Sequence, residues 1–120
     1  MNSDRLAELI HVACLLEATA RKPGNVHPQV AFDDLRYQDF VTAAEIVAPI
    51  LAEAANLGVG RAVFEAVEAT HSQLGKNVNL GIALLIAPLA AVPLDMPLNI
   101  GVGDVLRNLT RNDADKVYQA

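Results

Sequence analysis

The stretch Leu6-Ala7-Glu8-Leu9-Ile10-His11-Val12-Ala13-Cys14-Leu15-Leu16-Glu17-Ala18-Thr19 decides the fold class. Leu6, Leu9, Ile10, Ala13 and Leu16 recur at the three- and four-residue spacing that puts side chains on one helix face. Ser3 is placed to cap this helix, and Asp4 suits its positive start. The predicted helix runs to about Thr19. Lys22-Pro23-Gly24 stops it, because proline disfavours helical angles in the residue before it and glycine accepts angles that other residues resist.

Outward from there, the chain alternates helical patterns with two polar loops. Residues 21 to about 36 have no apolar period and read as one long loop. Tyr37 to Asn56 carries Phe40, Ala43, Ala44, Val47, Ile50 and Leu51 on one face, with Pro49 marking a kink or a junction between two helices. Gly58 and Gly60 separate this segment from a third pattern holding Val63, Phe64, Val67 and His71. The polar loop Ser72-Gln73-Leu74-Gly75-Lys76-Asn77 then leads into an uncharged helix from about Asn79 to Ala91, read as buried. Residues 92 to 103 contain Pro93, Pro97, Gly101 and Gly103 and read as an irregular connection. Thr110 with Asp113 forms a capping-box pattern that opens a last helix.

The expected architecture is all-α, a compact bundle of five to six helices with two long polar loops. Composition agrees. The 120 residues are 52% apolar and allow one domain, while 20 alanines and 16 leucines against 4% aromatics favour close helix packing over a β-sandwich. Nine basic residues against 14 acidic ones give a net charge of −5. The basic residues are scattered, so nucleic acid is excluded as an expected partner. The single cysteine, Cys14, reads as a small buried hydrophobe and suits a reducing cytoplasm. No membrane span is expected, because the uncharged run Leu80–Leu94 is shorter than the roughly 20 residues a span needs and contains Pro88 and Pro93.

The two polar loops hold the candidate chemistry. The first groups Glu17, Lys22, Asn25, His27 and Asp34: an ammonium pairs with phosphate, while carboxylates and amides coordinate Mg²⁺. An ordinary helix stop with solvated charges is the plain alternative. The second places Asn77 and Asn79 at the start of the uncharged helix, where backbone donors and the dipole favour anions, and simple capping by asparagine is its alternative. Gly58-Val59-Gly60 is too short for a nucleotide fingerprint and reads as a turn. His11 and His71 read as structural or surface residues, and Glu65 and Glu68 as solubilising an exposed face. Cys14 lacks the basic neighbour that activates a thiol.

Four blocks together resemble the triphosphoribosyl-dephospho-CoA synthase family. They are Lys22-Pro23-Gly24-Asn25-Val26-His27, then Asp34 to Asp39-Phe40, then Asn77-Val78-Asn79-Leu80-Gly81-Ile82, and finally Leu109-Thr110 to Val117-Tyr118. In better known members the third block reads Asn-Thr-His-Lys-Gly; Val78, Asn79 and Leu80 stand here in place of its middle three residues.

The resemblance implies an all-helical cytoplasmic transferase that moves the triphosphoribosyl group of ATP to the 2′-hydroxyl of 3′-dephospho-CoA and releases adenine. It implies Mg²⁺ held by Glu17 and Asp34, and Asp34 or His27 taking the proton of the attacking hydroxyl. Lys22, Gly24, Asn25, Asn77 and Gly81 are the implied substrate- and phosphate-binding positions, and Asn79 joins them as a candidate from its place at the helix start. A catalytically silent helical module that binds a nucleotide or oligomerises is the alternative reading. The last helix is abandoned at Ala120 and family members are longer, so the chain is expected to be the amino-terminal part of a longer enzyme and to cover its apolar faces as a homo-oligomer.

Overall fold

The computed structural model describes residues 2–20, 37–76 and 78–120. Seven helices occur among them, and no strand. The first, α1 (Ser3–Thr19), carries Asp4 in its first turn. Asn2 caps it in place of Ser3, its Oδ1 accepting the Arg5 backbone N–H at 2.9 Å. The face also differs. Ile10, Cys14 and Ala18 are buried, whereas Leu9 and Leu16 from the expected stripe are exposed, Leu16 by 64%. This helix is apolar on nearly every side, so its period offers two competing faces. The smaller side chains of the buried one permit closer approach to a neighbour.

The Tyr37–Asn56 pattern resolves as α2 (Tyr37–Leu51) and a single turn, α3 (Ala54–Leu57). Pro49 lies inside α2, and the helix ends two residues later. Pro88 has the same relation to the end of α5 (Leu80–Ala90). In each case the proline removes one i→i−4 donor and crowds the preceding turn, and the helix runs only two residues beyond it. Gly58, with φ of 89°, turns the chain into α4 (Val59–Leu74), which takes in Gly60, Ser72 and Gln73. The second polar loop is therefore shorter than expected. It opens at Gly75, whose left-handed φ of 67° lets its N–H return to the His71 carbonyl at 2.8 Å.

Two further helices complete the fold. Residues 92 to 103 are not irregular throughout, because α6 (Leu98–Arg107) incorporates both Gly101 and Gly103. Gly101 is buried against Val92 and Met96, where any larger residue would collide. Then α7 (Arg111–Gln119) starts on the expected capping box: Thr110 Oγ1 accepts the Asp113 N–H at 3.2 Å and the Asp113 carboxylate accepts the Thr110 N–H at 2.8 Å. The count is close to the five to six expected: two helices within Tyr37–Asn56 were one of the alternatives there, and α6 is the addition.

The hub is α4. It contacts α2, α3, α5 and α7, while α1 lies on α2 and touches α5. The core is built from small residues, with Ala44, Ala48, Ala54, Ala62, Ala66, Ala83 and Ala87 around Val47, Leu51 and Val63. Contrary to expectation, α5 is only half-buried. Ala83, Ala87 and Ala90 face inward and Leu84, Leu85 and Leu89 outward. Glu65 is half-buried too, with its Oε2 3.2 Å from Arg61 Nε, instead of standing on an open face.

Candidate functional site

A cleft of about 560 Å³ opens between α1 and α5, with Phe40 of α2 on its wall. Three predicted site residues meet there: Glu17 from the last turns of α1, and Asn79 and Gly81 from the start of α5. Glu17 precedes the first polar loop and Asn79 and Gly81 follow the second, so the fold brings these described edges to one cleft. Lys22, Gly24, Asn25, His27, Asp34 and Asn77 lie outside the described residues. Cys14 and Ala18 form part of the floor, and Ile82, Leu85, Ile86 and Leu89 part of the α5 wall. Burial, with a further push from the Glu17 carboxylate, raises the Cys14 thiol to about 11, so it stays protonated and is no nucleophile at neutral pH.

Asn79 does not cap α5 with its side chain. Instead the side chain turns inward, and Nδ2 donates to Thr70 Oγ1 at 3.1 Å. The Thr70 hydroxyl donates in turn to the Ala66 carbonyl one turn back along α4, at 2.9 Å. Thr70 and Asn79 are the two buried polar residues among those described, 1% and 5% exposed, and this bond joins them. Gly81 sits in the first turn of α5, where a Cβ would meet nothing within 4 Å among the described residues.

A second tie crosses the same end of the molecule. Lys76 Nζ lies 2.9 Å from Asp39 Oδ2, joining the short loop after α4 to the first turn of α2. Neither residue was singled out from the sequence as a site residue. Asp39 appeared only within the resembling blocks, and nothing in the chain order signals a partner 37 positions away. Thr70 was not singled out from the sequence either. Among the described residues, no group of three or more His, Cys, Asp or Glu could hold a metal ion. Of the two expected Mg²⁺ ligands, Glu17 alone is described, at the cleft.

A family model described as ATP:dephospho-CoA triphosphoribosyl transferase matches residues 3–120. The chain belongs to this family. No curated protein and no solved structure matches it. Membership in the ATP:dephospho-CoA triphosphoribosyl transferase family makes this a transferase-type chain, with ATP and dephospho-CoA as the substrates the family description names. No helix among the described residues is long and apolar enough to cross a membrane.

Proposed function

We propose that this chain transfers the triphosphoribosyl group of ATP to the 2′-hydroxyl of 3′-dephospho-CoA. A bond forms between the hydroxyl oxygen and the ribose C1′ of ATP as the C1′–N9 bond breaks. The hydroxyl proton goes to a carboxylate or imidazole base, Asp34 or His27, the C1′–N9 electron pair stays on N9, and adenine leaves once that proton, or one from water, is returned to the ring. The product is the prosthetic-group precursor for citrate lyase or malonate decarboxylase carrier proteins. The observation that carries this reading is the convergence of Glu17, Asn79 and Gly81 on one cleft in a chain of this family.

The chemistry suits such a place. Positive charge builds on the sugar as adenine departs, and a preorganised anion such as Glu17 stabilises it. The triphosphate needs counter-charge from Lys22 and from Mg²⁺, which Glu17 and Asp34 would hold through oxygen ligands. A binding module without catalysis is the second reading, favoured by Asn79 and Leu80 standing where better known members carry an imidazole and an ammonium.

Chromatographic detection of free adenine separates the two. With ATP, dephospho-CoA and Mg²⁺ the wild type should release adenine, and Lys22→Ala and Asp34→Ala should each lower the rate by about a hundredfold or more. Thermal stabilisation by ATP without adenine release would identify the module; ligand at 100 times Kd adds about 2.7 kcal/mol to a folded state.

A further inference from the structure

We infer that the α1–α5 cleft is the adenine subsite, and that Thr70 is the positioning residue that sets its hydrogen-bond polarity. The inference rests on the function proposed above and names which part of the nucleotide enters where. A hydroxyl has one hydrogen to give, and Thr70 gives it to the Ala66 carbonyl. Toward Asn79 it can only accept. The amide must therefore present Nδ2 to Thr70, which fixes its orientation by chemistry. Asn79 also lines the cleft, and with Nδ2 turned to Thr70 it has Oδ1 to offer there as an acceptor, beside the one Nδ2 hydrogen that Thr70 does not take.

An acceptor does not hold phosphate oxygens, which are acceptors themselves, so the phosphate-binding role expected of Asn79 does not suit this arrangement. It suits a neutral donor, and the exocyclic amine of adenine is one. The surroundings point the same way. Ile82, Leu85, Ile86 and Leu89 offer an apolar wall and Phe40 an aromatic one, as a flat uncharged ring requires and a triphosphate does not. Both ATP and dephospho-CoA carry adenine, so either can supply the ring.

The test is calorimetric titration of the full chain with ATP, inosine triphosphate and dephospho-CoA. In inosine triphosphate a carbonyl oxygen replaces the amine and would face Oδ1 acceptor to acceptor. Wild type should prefer ATP by about tenfold or more, because an unmatched buried polar group is costly. Thr70→Val should bring that ratio toward one while inosine triphosphate still binds, and Thr70→Ser should restore it. Loss confined to dephospho-CoA would assign its adenine, rather than that of ATP, to the cleft and would support the subsite. An unchanged ATP preference in Thr70→Val, with dephospho-CoA binding unchanged as well, overturns the inference alone. Wild type that binds neither adenine nucleotide overturns it together with the proposed function. Because Thr70→Val strands a buried amide, the exposed wall position offers a second route: Leu85→Glu should fold normally and weaken adenine-nucleotide binding about tenfold, and unaltered binding would sink the subsite.

Discussion

Asp113 divides one carboxylate between two helix starts. Its Oδ1 accepts the Gly60 N–H of α4 at 2.9 Å, and its Oδ2 accepts the N–H and hydroxyl of Thr110 at 2.8 and 3.1 Å. Partial burial pushes the carboxyl upward, but these hydrogen bonds outweigh it and hold the group below its ordinary range. A carboxyl whose pKa is lower when folded stabilises the protein above its unfolded pKa and loses that contribution as pH falls through the folded value. Wild-type stability should thus hold from neutral pH down to about 5 and decline below about 4. Asp113→Asn should cost about 1 kcal/mol at neutral pH and show a shallower acid decline, measured as urea midpoints across that range. Parallel acid curves for the two proteins would refute the assignment.

At the scale of the helix, two glycines in first turns carry opposite expectations. A Cβ on Gly60 would overlap the backbone of Asp113, so Gly60→Ala should cost about 1–3 kcal/mol and loosen α7 from α4. At Gly81 the space is open among the described residues, so Ala should stabilise α5 by up to about 1 kcal/mol through its helix propensity. If the nucleotide approaches this helix start, the same change should weaken ATP binding. Thermal midpoints and titrations on both variants check the pair, and a destabilised Gly81→Ala would contradict the open space.

These elements also show what the sequence carries. The α7 capping box was legible because its signal is local, residues 110 and 113. The face of α1 was not, because apolar residues on nearly every side leave the choice to whichever neighbour packs closest. For α6, Gly101 and Gly103 signalled a break, yet packing against Val92 and Met96 demands a small residue inside a helix. Tertiary contact overrode propensity there. At the site, residue types at the loop edges marked Glu17, Asn79 and Gly81, but the Thr70 partner that orients Asn79 emerges only when α4 and α5 meet.

For the whole molecule, the balance of buried and exposed apolar surface is unusual. Leu9, Val12 and Leu16 on α1, Leu84, Leu85 and Leu89 on α5, and Leu98, Ile100 and Leu106 on α6 are all exposed. Single exposed leucines are ordinary in a folded chain, but rows of them along three helices are the pattern of surfaces that associate. Sedimentation velocity should therefore show species heavier than the 12.8 kDa chain. Sulfate should favour them, since it strengthens apolar burial. A single monomeric boundary at every concentration would oppose this. The core explains the distribution: small alanines let the helices sit close, which leaves the bulky leucines outside.

The geometry at Asp113 also settles the direction of a helix pair. Gly60 meets Asp113, the Lys116 ammonium lies 5.2 Å from the Phe64 ring centre, and Gln119 and Ala120 line one hollow with Val67 and His71. Residue numbers rise together, so α4 and α7 run parallel. Parallel neighbours place their positive ends side by side, an arrangement their dipoles oppose. A single shared counter-ion at the common head relieves both, so the last helix can return along the hub in the hub's own direction.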